Sequence, residues 1–175
     1  MFFIIEGNTA SSGIVMKTFQ IRALNSGDHD WVASLLKEHW GSTKIVTRGR
    51  IHYADKLPGF MAMHEDKPVG LVTYRIDGDE CEVISLNSLV EGIGIGSALL
   101  DAVKDIAASV KCKRLWLITT NDNMAALRFY QKRGFLLVAV HRNALEYSRK
   151  LKQEIPSVGI DGIPLRDEIE LELLL

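Results

Sequence analysis

Val90-Glu91-Gly92-Ile93-Gly94-Ile95-Gly96-Ser97 stands between a stretch of alternating type, Glu80 to Leu86 (ECEVISL), and one of helical type, Ser97 to Val110 (SALLDAVKDIAASV). In the second stretch Leu99, Leu100, Val103, Ile106 and Val110 fall on one helical face. The glycines at 92, 94 and 96 therefore mark a strand-to-helix turn. Without a Cβ, the backbone there turns tightly and approaches a ligand closely. The free amides and the dipole at the start of the following helix favour an anion, and a pyrophosphate suits such a pocket. A plain flexible turn is the alternative reading. A P-loop needs lysine before the serine, which Gly96-Ser97 lacks. A dinucleotide fingerprint places Ser97 or Leu99 where its third glycine belongs, and the hairpins upstream do not make its βαβ start.

Working outward, Thr18 to Ala23 reads as a short strand, and Asn25-Ser26-Gly27-Asp28 offers N-cap chemistry to a helix carrying Trp31, Val32, Leu35, Leu36 and Trp40. Residues 41–58 read as irregular or weakly helical. Phe60 to His64, Val69 to Ile76 and Glu80 to Leu86 form three consecutive strands joined by the turns Glu65-Asp66-Lys67-Pro68 and Asp77-Gly78-Asp79. Arg114 to Thr119 reads as a buried parallel strand. Asn123 to Arg133 is predicted helical and stopped by Gly134, Phe135 to Val140 extended, and Asn143 to Gln153 helical. At the end Ile169, Leu171 and Leu173 alternate with Glu168, Glu170 and Glu172, the pattern of an antiparallel strand half buried on its aliphatic side. This order describes an α/β (α+β) domain built on a mixed sheet.

A second motif accompanies the glycine turn: Asn123-Met-Ala-Ala126-Leu-Arg-Phe129-Tyr130-Gln-Lys132-Arg-Gly134-Phe135. Glu91-x-x-Gly94-x-Gly96 with its following helix resembles the Gln/Arg-x-x-Gly-x-Gly/Ala loop of the GNAT superfamily of N-acetyltransferases. The second motif resembles that superfamily's Asn-x-x-Ala-x-x-x-Tyr-x-Lys-x-Gly-Phe segment at every defined position. Glu91 departs from the pattern, since a carboxylate beside a pyrophosphate is unfavourable unless it faces solvent. The likeness covers roughly residues 60–140 closely and 18–175 in element order.

The resemblance implies a mostly antiparallel sheet of about seven strands, splayed open between the strands at 80–87 and 114–119 and flanked by the helices at 94–110 and 123–133. It implies acetyl-CoA as cosubstrate, held by Leu86, Glu91, Gly92, Gly94, Gly96, Ser97, Asn123 and Tyr130, with no metal. It also implies direct transfer of the acetyl group to a primary amine of a small molecule or peptide. Tyr130 is the expected general acid, because a phenol with an ordinary pKa near 10 can protonate a departing thiolate. Glu80 and Glu82 share one strand face, and Glu82 is the preferred general base because it lies nearer Ile84-Ser85-Leu86. A non-catalytic acyl-CoA-binding module on the same fold is the alternative. A homodimer is among the assemblies the resemblance allows.

Composition fits this reading. The chain has 175 residues, and 21 Lys+Arg against 22 Asp+Glu leave a formal net charge of -1. Nucleic acid and anionic membranes, which need a basic excess, are not expected partners. Two cysteines, Cys81 and Cys112, are too few for a disulfide scaffold, and the five histidines show no metal-binding spacing. Met1 to Ile5 is apolar without a basic flank, so a cytoplasmic location is expected rather than secretion. Residues 1–15 read as a disordered N-terminal extension, and 16–175 as a single N-acetyltransferase domain. The acidic Asp77, Asp79, Glu80 and Glu82, set against the basic segment Lys44, Arg48, Arg50, His52, Tyr53 and Lys56, point to a zwitterionic acceptor.

Overall fold

The computed structural model describes residues 19–175, so the 1–15 extension and Thr18 lie outside the described residues. Its strands are β1 (Gln20–Ala23), β2 (Lys44–Thr47), β3 (Arg50–Tyr53), β4 (Gly59–His64), β5 (Lys67–Asp77), β6 (Glu80–Ser88), β7 (Arg114–Thr120), β8 (Leu136–His141) and β9 (Glu168–Leu174). Its helices are α1 (His29–Trp40), α2 (Ile95–Ser109), α3 (Met124–Gln131) and α4 (Ala144–Leu151). Seven strands form one sheet in the order β1-β4-β5-β6-β7-β9-β8, antiparallel at every junction except β6–β7. The mixed, mostly antiparallel sheet expected from the sequence is thus present.

β6 and β7 pair only from Glu80–Arg114 to Val83–Leu117, although β6 continues to Ser88 and β7 to Thr120. Beyond Val83 and Leu117 the two strands part. On the other side of β6, Val83 pairs with Tyr74 and Ser85 with Thr73, so Ile84 is the extra residue of a bulge. A bulge bends its strand and strengthens its twist, which turns the end of β6 away from β7. The splay therefore opens at Ile84 and Ile118.

α2 packs its buried Leu99, Leu100 and Val103 against the sheet, and Gly70 of β5 makes room for it. A Cβ at Gly70 would lie 2.6 Å from Ile95 Cγ2. Asn25 closes a capping box with Asp28 just before α1, as its residue types predicted, and Trp40 at the far end donates Nε1–H to Asn87 of β6 at 3.1 Å.

Two expectations are corrected. Residues 44–53, read as irregular or weakly helical, form an antiparallel hairpin, β2–β3. Its two-residue loop, Arg48-Gly49, has positive φ at both positions, as a type I′ turn requires. The usual Asn-Gly or Asp-Gly signal is missing, which hid the turn. Strand β9 is not half exposed along its glutamate side. It lies between β7 and β8, and Glu168 and Glu170 are buried.

Candidate active site

Gly94 is the N-cap of α2 with φ 86°, a left-handed conformation that glycine adopts without strain. The turn it makes leaves a recess of about 300 Å³ lined by Leu86, Glu91, Gly92, Gly94, Gly96 and Ser97, together with Phe129 and Arg133. Six of the eight residues expected to hold the cosubstrate are thus brought to one place. Glu91, expected to face solvent, is half-buried and lines this recess. Arg133, which sequence reasoning passed over, supplies a cation beside it. Its guanidinium donates to Ser97 Oγ and to the Phe129 carbonyl, and stacks 3.5 Å from the Phe129 ring centroid. α3 is thereby clamped to the first turn of α2.

The other two expected residues sit elsewhere. Asn123 is buried and caps α3, accepting from the Ala126 amide at 2.9 Å. Tyr130 is 0% exposed and packs edge-on against Phe129 and Phe135, at ring distances of 5.0 and 5.4 Å. Burial pushes its phenol well above the ordinary value, so it stays protonated across the neutral range.

Glu80 and Glu82 line a second recess together with Thr47, Arg48, Arg50, Arg75, Asp77 and Trp116. Their environments differ. Glu80 is partly exposed and paired with Arg114 at 3.0 Å. Glu82 is 6% exposed and accepts the Thr47 hydroxyl at 2.7 Å. Burial lifts its carboxyl to about 7, while the Thr47 hydroxyl and the arginines Arg75, Arg50 and Arg48 hold it from rising further. Thr47 Oγ1 also lies 2.9 Å from His52 Nε2. Because the hydroxyl spends its proton on Glu82, it accepts from His52, which fixes an Nε2–H tautomer. Burial, then Arg75 and Arg50, lower this imidazole to about 4, so it is neutral at pH 7. His52 was read as part of the basic segment facing the acceptor, whereas Thr47 was not legible because the hairpin that brings both to Glu82 was not recognised.

The local charges largely satisfy one another. Asp77 meets Arg75 at 2.5 Å and Arg50 at 3.3 Å, and Asp79 meets Lys113 at 2.6 Å. Of the acidic and basic segments that pointed to a zwitterionic acceptor, Arg50 and Asp77 meet directly, whereas Asp79, Glu80 and Arg48 pair with Lys113, Arg114 and Glu170 outside them. Cys81 and Cys112 are buried, and burial raises the Cys81 thiol to about 12. Among the described residues, no group of three or more His, Cys, Asp or Glu is placed to hold a metal ion. No helix among them is long and apolar enough to cross a membrane.

A splayed mixed sheet, with a glycine turn and an asparagine-capped helix at the splay, defines a class of acyl-group transferases. The chain belongs to the acetyltransferase (GNAT) family, whose model matches residues 26–135. It is 49% identical over 133 residues to the uncharacterized protein YdhI of Bacillus subtilis (strain 168), covering 75% of this chain and 83% of that one. Its fold is similar to that of the IAA acetyltransferase from Bacillus cereus ATCC 14579, with a TM-score of 0.67 and 19% identity over 90% of this chain and 100% of the other. It is also similar to a GNAT family acetyltransferase from Elizabethkingia anophelis with acetyl-CoA bound, with a TM-score of 0.66 and 21% identity over 90% and 98%.

Proposed function

We propose that the protein transfers the acetyl group of acetyl-CoA to a primary amine by direct attack. The observation that carries this reading is the parting of β6 and β7 at Ile84 and Ile118, with the glycine-turn recess and the buried Glu82 both built on β6. The amides of Gly94, Ile95 and Gly96 and the guanidinium of Arg133 hold the pyrophosphate of the cosubstrate, and Leu86 borders the pantetheine. Arg133 offsets the carboxylate of Glu91.

Glu82, poised near neutrality, takes the proton of the attacking amine as its nitrogen bonds to the thioester carbonyl carbon. The carbon–sulfur bond then breaks, and Tyr130 returns a proton to the departing thiolate, whose ordinary pKa is near 8–9. With both thiols buried and raised, neither cysteine is a ready nucleophile, which supports direct attack over a covalent intermediate. The reading takes 16–175 as one catalytic domain working in the cytoplasm. It also includes a homodimer: β8 is a sheet edge on which Leu136, Leu137, Val138 and Val140 are all exposed, and an apolar edge strand invites pairing with its copy. Light scattering of the wild type and of Val138→Lys tests that assembly.

Thiol release from acetyl-CoA over a panel of amines tests the activity. Amine-dependent release is expected. Tight binding of CoA without turnover on any amine would leave a non-catalytic acyl-CoA-binding module.

A further inference from the structure

A third cavity, of about 270 Å³, opens where the sheet parts. Ile84 and Ile118, the first residues past the last β6–β7 pair, lie in its wall, so it reaches the point where the acetyl group must be attacked. Trp40, Ile45, Leu145 and Leu165 make most of the rest apolar. Its enclosure comes from α1, α4 and β2, the last lying in the segment that sequence reading left irregular.

Within this lining one carboxylate is buried. Glu168 of β9 is 1% exposed, and it accepts from the Arg48 amide at 2.8 Å and the Ser148 hydroxyl at 3.2 Å. A carboxylate offers about four lone-pair sites, so two partners leave capacity for a further donor. Lys152 also lines the cavity, but its ammonium is tied to the Trp40 and Lys44 carbonyls at 2.6 and 2.7 Å and fastens the end of α4 to β2. Exposed Glu38 and Glu154 add negative charge at the rim. Three carboxylates against one anchored ammonium favour a cation.

We propose that this chamber holds the acceptor, and that the acceptor is a compact amine with an apolar body, its nitrogen set between Glu168 and Thr47, the lining residue whose hydroxyl hydrogen-bonds the base Glu82. The proposal rests on the acetyl-transfer reading above and adds the substrate class. A cavity of about 150 Å³ encloses benzene, so the present one admits a ring and a short amine arm, and it lies below the range of drug-sized pockets. Polyamines would leave further ammonium groups against aliphatic walls, and each unpaired buried charge is costly. A protein lysine would have to bring its backbone to the chamber mouth.

The test is thiol release with acetyl-CoA and four acceptors: phenethylamine, isoamylamine, spermidine and a lysine-containing peptide. Phenethylamine and isoamylamine should exceed the other two in kcat/KM by about tenfold or more. Glu168→Gln should raise the KM for phenethylamine by about tenfold and leave the KM for acetyl-CoA unchanged. Ile155→Trp, at a half-buried position of the lining, should exclude phenethylamine before isoamylamine, which guards against a Glu168 variant that fails to fold. Preference for spermidine or peptide, or an unaltered KM in Glu168→Gln, overturns the proposal. If no amine releases thiol, calorimetry of phenethylamine with the CoA-saturated protein decides. Glu168-dependent binding then keeps the chamber while the transferase reading falls, and absence of binding overturns the chamber.

Discussion

The two sides of the splay are built differently. On the glycine-turn side, the recess is formed by backbone amides and by residues of two contiguous segments, 86–97 and 129–133. On the chamber side, α1, β2, β6, β7, α4 and β9 each contribute from one to three residues, and no two of these elements adjoin in sequence as the glycine turn and its helix do. The first side is local chemistry that any chain with this turn carries. The second is assembled from distant pieces and can vary without disturbing the first. Substitutions on one side should therefore change cosubstrate terms, and those on the other acceptor terms.

The largest expected effect bears on that separation. Tyr130→Phe should lower kcat roughly 10- to 1,000-fold with little change in CoA binding, if the phenol protonates the thiolate. An unchanged kcat at saturating substrates would hand that proton transfer to water and reduce α3 to a binding element.

Glu82→Gln comes next, with a loss of roughly 10- to 100-fold in kcat/KM at neutral pH. The wild-type kcat/KM should rise with pH through about 7, where the Glu82 carboxyl ionises, and then level off. The variant should lose that limb, whereas Glu80→Gln, which removes a partner of Arg114, should keep it. The same variant has a stability signature. Burial raises the Glu82 carboxyl from 4.5 to about 7, so its contribution is fully present below the unfolded value and is lost as pH rises through about 7. Glutamine avoids that loss, and the variant should gain up to about 3 kcal/mol relative to wild type at pH 8 but little at pH 4. Denaturant titrations at the two pH values measure it, and equal differences at both would contradict the buried-carboxylate account.

Arg133→Ala tests the glycine-turn side. Loss of the cation that offsets Glu91 should raise the KM for acetyl-CoA by about tenfold and leave the amine KM alone. Parallel rises in both constants would mean that the clamp between α2 and α3 also shapes the chamber. The smallest effect is expected from Thr47→Val. Its hydroxyl holds the Glu82 carboxyl down, so its loss should move the rise in kcat/KM to higher pH, with a few-fold loss at pH 7 that Thr47→Ser restores.

Sequence alone determined the parts of this protein that rest on local rules. The three glycines before an amphipathic run dictate a tight turn whose free amides open outward, and Asn123 three residues before Ala126 dictates a capped helix. Alternation over 60–64, 69–76 and 80–86 likewise makes a meander, because successive side chains of a strand face opposite ways. Tertiary structure decided the rest. Arg48-Gly49 becomes a type I′ turn although the residue types predict it weakly, and only then does Thr47 reach Glu82 across 35 positions of sequence. The glutamates of β9 read as a solvated face, since charged residues alternating with aliphatic ones normally are. Glu168 and Glu170 are buried because β9 lies between β7 and β8, and because Arg48 and Ser148 reach the Glu168 carboxylate. Burial and partner choice are sums over residues far apart in the chain, and no periodicity within one segment encodes them. The turn that receives a phosphate was therefore written in consecutive residues, while the environment that tunes Glu82 and closes the chamber exists only once the hairpin, α4 and β9 have come together.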